Sequence, residues 1–199
     1  MTMATTSDSH NDSVRQRVPA SERRDALIEA AVHEFAQGGL HGTPVDRIAR
    51  RVGVAQPYVF SLFGSKRELF LAAVERAFQR VEETFAQAAA EFDTAIALPG
   101  KDVLNAMGNA YQGLLGSHRD YLMLQHQAYA ACNDEVVRAR VRALYAQLVA
   151  YVEQVSGAPP DRIDEFFRYG MWVNVAAAMG VEDLSAGCEW MKDLHGTSS

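Results

Sequence analysis

The stretch Thr43–Lys66, TPVDRIARRVGVAQPYVFSLFGSK, decides the fold. Its apolar residues fall into two short helical periods, Val45, Ile48, Ala49 and Val52 before Gly53, then Val54, Val59, Phe60 and Phe63 after it. Two such segments hinged at a glycine predict a helix-turn-helix whose second helix is presented outward. Thr43 reads as the cap of the first of these helices, with Pro44 at its first position and Asp46 three residues after the cap. Gly53 ends it, and the small Ala49 four residues earlier lets the two helices approach. The next helix is predicted over about Gln56 to Leu62, with Pro57 tolerated in its first turn.

Working outward, a helix from Ser21 to Gln37 precedes this unit. Ser21 reads as its N-cap, Ala26, Leu27, Ala30, Ala31, Glu34 and Phe35 form its mostly apolar stripe, and Gly38-Gly39 closes it. On the other side, Ser65 and Glu68 have the spacing of a capping box that opens a long helix from Lys66 to roughly Phe92. A break at Leu98-Pro99-Gly100 is followed by helical patterns at 101–117, 119–131 and 133–155. After Gly157-Ala158-Pro159-Pro160 come two more, at 161–179 and from Glu182 to Leu194. The expectation is an all-α chain of about nine helices, three in an N-terminal helix-turn-helix head and six in a C-terminal body. The boundaries are a flexible arm over 1–20, a head over 21–66 and a body over 67–199.

Composition agrees with a helical, well-packed chain: 48% of the 199 residues are apolar and only six are proline. The net charge of −6 is unevenly spread. Residues 14–67 carry nine Lys or Arg against five acids, whereas residues 68–199 carry ten against eighteen. A basic head on an acidic body suits a protein that meets nucleic acid with one end and does something else with the other. Cys132 and Cys188 are too far apart in helical patterns to suggest a disulfide or zinc site, and the six histidines show no pair at i, i+3 or i+4, so no metal or other cofactor is expected. No nucleophile elbow, phosphate loop or acid pair supports catalysis. No run approaches a membrane span, and the N-terminal stretch lacks an apolar signal core, which points to the cytoplasm.

Residues 21–75 resemble the TetR family of bacterial transcriptional regulators. The resemblance rests on Phe35-Ala36-Gln37-Gly38-Gly39, Gly42-Thr43-Pro44-Val45, Ile48-Ala49, Gly53-Val54, Phe60-Ser61-Leu62-Phe63, Ser65-Lys66 and Glu68-Leu69-Phe70. It implies a homodimer whose third helices enter successive major grooves of a pseudo-palindromic operator in double-stranded DNA, half-sites lying one helical turn or a multiple apart. On this reading Gln56, Pro57 and Tyr58 meet base edges and Ser61 points the same way. Lys66 and Thr43 hold phosphates, and Arg47 reaches the groove edge or a phosphate. Phe60, Leu62 and Ala55 depart from the family's usual polar residues, which shifts weight to Arg15, Arg17, Arg23 and Arg24.

The same resemblance implies a small-molecule pocket in the body, whose occupation spreads the two heads and releases DNA. Candidate lining residues are Phe85, Met107, Tyr111, Tyr129, Phe167 and Met171, together with Gln125, His126 and Asn174, three polar groups set in apolar stretches that need a partner. An apolar or aromatic effector with one or two polar groups is the expectation. Dimerisation is expected through the last two helices, where Gly170–Gly180 is rich in small residues. The leading reading is a ligand-responsive repressor. Alternatives are a helical carrier or enzyme without DNA binding, and a TetR-like activator with a non-ligand trigger.

Overall fold

The computed structural model describes residues 19–92 and 102–181. Among them run eight helices and no strand: α1 Ala20–Gly42, α2 Val45–Val52, α3 Gln56–Phe63, α4 Lys66–Glu91, α5 Val103–Ser117, α6 Arg119–Ala130, α7 Glu135–Ser156 and α8 Pro160–Met179. The Leu98-Pro99-Gly100 break, the helix expected over 182–194, and Arg15 and Arg17 lie outside the described residues.

Helix ends follow local chemistry, with two corrections. Ser65 caps α4 as expected, accepting the Glu68 N–H at 3.1 Å. Ser21, however, lies inside the first turn of α1, because Pro19 takes the N-cap position without a side-chain bond. Thr43 does not cap α2 either; Pro44 occupies that place, and the Thr43 hydroxyl turns back to donate to the Glu34 carbonyl at 3.1 Å. Regular helix geometry in α1 breaks at Gly39, whose φ of 61° and ψ of −174° belong to a region open essentially to glycine alone.

Packing centres on α1 and α4. Leu27, Ala31 and Phe35 of α1 are fully buried, and Phe35 meets Phe70 of α4 edge-on at 5.1 Å between ring centroids. Burial of Leu27 and Phe35 contributes about 2–3 kcal/mol each, and of the Ala31 methyl under about 1 kcal/mol. α1 also lies along α6 over its most extensive interface. Polar links fasten that seam: His33 Nδ1 lies 2.7 Å from Asp120 Oδ2, and Tyr121 donates its hydroxyl to Glu29 at 2.7 Å. Arg76 of α4 binds the neighbouring Asp25, at 2.9 Å, and Glu29. One continuous apolar cluster therefore runs from Leu27 in α1 to Val173 in α8. No described helix is long and apolar enough to cross a membrane.

Candidate functional site

Two places collect the candidate residues: the outer face of α3 and a cavity within the body. In the head, Gly53 takes the left-handed conformation (φ 74°, ψ 33°) that lets α2 stop and α3 set off in a new direction. Val59 and Phe63, four residues apart, bury one face of α3, at 1% and 7% exposure. The opposite face presents Gln56, Pro57 and Ser61 to solvent, with Tyr58 half-buried at its edge. Ser61 spends its proton on the Tyr58 carbonyl at 2.7 Å, leaving its oxygen as an acceptor.

Phe60 also stands on this face, 38% exposed, and the apolar pattern had counted it as inward. Its position was legible all the same: with Val59 and Phe63 as the buried i, i+4 pair, residue 60 pairs with Gln56 on the outside.

The cations around this face differ in freedom. Lys66 at the start of α4 donates to the His41 carbonyl at 3.1 Å, tying the end of α1 to α4, and partial burial lowers its pKa below the usual lysine value. Arg47 pairs with Glu34 at 2.7 Å, and Arg51 holds the other oxygen of the same carboxylate at 3.2 Å. Glu34 is only 5% exposed, so two arginines of α2 are anchored on one buried acid of α1. Arg24 lies 4.7 Å from the centre of the Phe63 ring, so it belongs to the packed head and not to an arm. Thr43 is 1% exposed, which withdraws its side chain from the surface the other candidates share.

The body contains a cavity of about 40 Å³. Of the expected residues, Phe85, Tyr111, Gln125, Tyr129, Phe167 and Met171 line it, as does Asn174. Met107 and His126 do not. Met107 is completely buried in the core one turn before Tyr111, and His126, next to Gln125, is turned about 100° round α6 from the lining face. Val81, Gly108, Leu148, Tyr169 and Gly170 were missed. Each stands three or four residues from a lining side chain, Val81 from Phe85 and Gly108 from Tyr111 for example, so helical periodicity was the available signal.

Aromatic rings form a connected wall. Phe85 lies 5.4 Å from Phe166, Phe166 the same distance from Phe167, and Phe167 the same again from Tyr145. Against this wall sits a small polar cluster. The Tyr111 hydroxyl donates to Asn174 Oδ1 at 2.9 Å and lies 3.3 Å from Gln125 Oε1, which Asn174 Nδ2 approaches at 3.5 Å. Burial pushes the Tyr111 and Tyr129 phenols well above the usual tyrosine pKa, so both remain protonated donors at ordinary pH. Gln125 is 2% exposed, and its Nε2 has no hydrogen-bond partner among the described residues. Such an orphan costs about 1–3 kcal/mol. No group of three or more His, Cys, Asp or Glu that could hold a metal is present among the described residues.

Comparison with known proteins gives this geometry a lineage. Residues 27–73 match the family described as bacterial regulatory proteins, tetR family. Over 60 residues the chain is 43% identical to the HTH-type transcriptional activator FasR of Mycolicibacterium smegmatis, covering 30% of this chain and 27% of that one. Over 50 residues it is 38% identical to the HTH-type transcriptional repressor SCO4008 of Streptomyces coelicolor, covering 25% and 26%. The match thus spans about a quarter of the length of these relatives. A TetR-like transcriptional regulator from Rhodococcus sp. RHA1 superposes with a TM-score of 0.63 at 24% identity, over 89% of this chain and 96% of that one. The sequence match places residues 27–73 with the bacterial regulatory proteins of the tetR family, and the structural likeness carries the same fold through the body.

Proposed function

We propose that the protein is a DNA-binding transcriptional regulator of the cytoplasm, a repressor that grips a pseudo-palindromic operator as a homodimer. The observation that carries this reading is the outer face of α3. A helix that only packed would not leave Gln56, Pro57, Phe60 and Ser61 exposed in one patch beside a cationic helix start at Lys66. Gln56 has the amide geometry to bind an adenine edge, and Pro57, Tyr58 and Phe60 offer apolar contact to thymine methyls. Lys66 and the open first-turn amides of α4 suit a phosphate, and Arg47 reaches the backbone from its anchor on Glu34.

The division of labour is an arm over 1–20, a head over 21–66 and a body over 67–199. Dimerisation runs through α8 and the segment after it; Met171 and Met179 expose 37% and 56% of their surface on α8. The cavity takes a small-molecule effector. α4 begins at Lys66 against the head and lines the cavity with Val81 and Phe85. A ligand that prefers one setting of α4 therefore biases the spacing of two heads, by no more than its differential affinity for the two settings.

A second reading, activation, is favoured by one observation: the head is most identical, among the relatives named above, to an activator. Selection of bound duplexes from random DNA, followed by footprinting, tests the common core. The expected result is a palindrome with half-sites about 34–36 Å apart or a multiple of that. Enrichment of no palindrome sinks the proposal, and a reporter placed under the selected site separates repression from activation.

A further inference from the structure

The polar cluster in the cavity holds information about the ligand, on the reading that this cavity is the effector site. Tyr111 has a single hydroxyl proton, and Asn174 Oδ1 is its nearer acceptor at 2.9 Å. Asn174 in turn directs Nδ2 toward Gln125 Oε1. This chain of bonds turns the Gln125 carbonyl toward its two neighbours and leaves its Nε2 as an unspent donor, in a residue 98% buried that lines the cavity. The Tyr129 hydroxyl, one helical turn along α6, is a second donor on the same wall.

The charge inventory points the same way. Among the described residues that line the cavity there is no Asp, Glu, Lys, Arg or His. An ionised ligand would lose its hydration here with no opposite charge to replace it. The aromatic rings present π-faces that attract cations, but the unpartnered Gln125 amide N–H opposes a positive group placed beside it.

We infer that the cavity selects an uncharged, largely aromatic ligand bearing one carbonyl-type hydrogen-bond acceptor, which takes the free N–H of Gln125. The aromatic wall supplies the contact area, and the Gln125–Asn174–Tyr111 chain fixes the orientation of the acceptor.

Calorimetric titration of the full chain with four naphthalene probes of similar size tests this. The probes are 2-acetylnaphthalene, 2-ethylnaphthalene, 2-naphthoate and 2-naphthylmethylammonium. The ketone should bind about tenfold more tightly than the hydrocarbon, and both charged probes more weakly than either. Gln125→Leu should remove the ketone's advantage while leaving the hydrocarbon's affinity in place. Gln125→Glu, which keeps the side-chain shape, should lose the ketone and gain the ammonium. Tighter binding of naphthoate or the ammonium by the native chain overturns the inference and leaves the cavity as an effector site. Binding of none of the four overturns both. An unchanged ratio of ketone to hydrocarbon in Gln125→Leu overturns the role of Gln125 on its own.

Discussion

At the residue scale, the proposed function divides the head into groups that would position DNA and groups that would read it. Lys66 is tied to the His41 carbonyl, and on the proposed reading it holds a phosphate, so Lys66→Ala should weaken binding to operator and random duplex alike. The slope of log K against log salt should fall by about one. Tyr58→Ala should instead lower operator affinity more than random-duplex affinity. Titration of both duplexes at two salt concentrations checks the pair, and equal losses for Tyr58→Ala would remove its base-reading role. Tyrosine ionisation offers a separate check on the α1–α6 seam. Burial and the bond to Glu29 push the Tyr121 phenol up to about 12, above its value of about 10 in an unfolded chain. The stability this represents is complete below pH 10 and drains away as pH rises toward 12, because only the unfolded chain releases the proton readily. Denaturant midpoints measured from pH 9 to 12 should fall less steeply for Tyr121→Phe than for the native chain.

At the scale of elements, the helices were legible because apolar periodicity and glycine or proline breaks recur at each boundary. Their faces were less so. Gln125 and Asn174 were found as polar interruptions of apolar runs, and they do meet across the cavity. His126 interrupts the same run, but a helix turns 100° per residue, so adjacent polar residues cannot share a wall. Thr43 failed as a cap because Pro44 takes the N-cap position, while the Thr43 hydroxyl turns back to donate to the Glu34 carbonyl nine residues earlier instead of accepting from the first-turn amides of α2. Gly108 illustrates the opposite problem, a residue without a side chain that shapes the cavity by its absence. A Cβ placed there would sit 3.8 Å from the Phe166 ring, an ordinary contact. Gly108→Ala should therefore raise stability by about 0.5–1 kcal/mol through helix propensity while weakening ligand binding. Denaturant unfolding together with probe titration reads both effects, and a loss of stability would contradict the contact geometry.

At the scale of the whole molecule, head and body are not separately closed. Phe35 of α1 packs on Phe70 of α4, and α1 lies against α6. Unfolding should accordingly be a single cooperative transition, with near-coincident midpoints for probes placed in α3 and α8. Phe35→Ala should cost about 3–5 kcal/mol and lower both midpoints together. A head that melted alone would show that the seam with α6 is weaker than its polar links suggest.

Gly39 gives that seam a mutational signature. Its φ and ψ are closed to side-chain-bearing residues, and a Cβ there would stand 2.6 Å from Gln127 Oε1 on α6. The contacting atom is the far end of a flexible side chain and can shift, but the backbone has no alternative of comparable energy. In a library of random variants screened for loss of regulation, codon 39 should thus register as a hotspot at which nearly every amino acid scores as null. Second-site changes at 127 should rescue few of them. Solvent-facing positions of α7 such as Arg142 should accept most replacements. The joint between head and body would then be visible in sequencing counts alone, as a one-residue trough in tolerance.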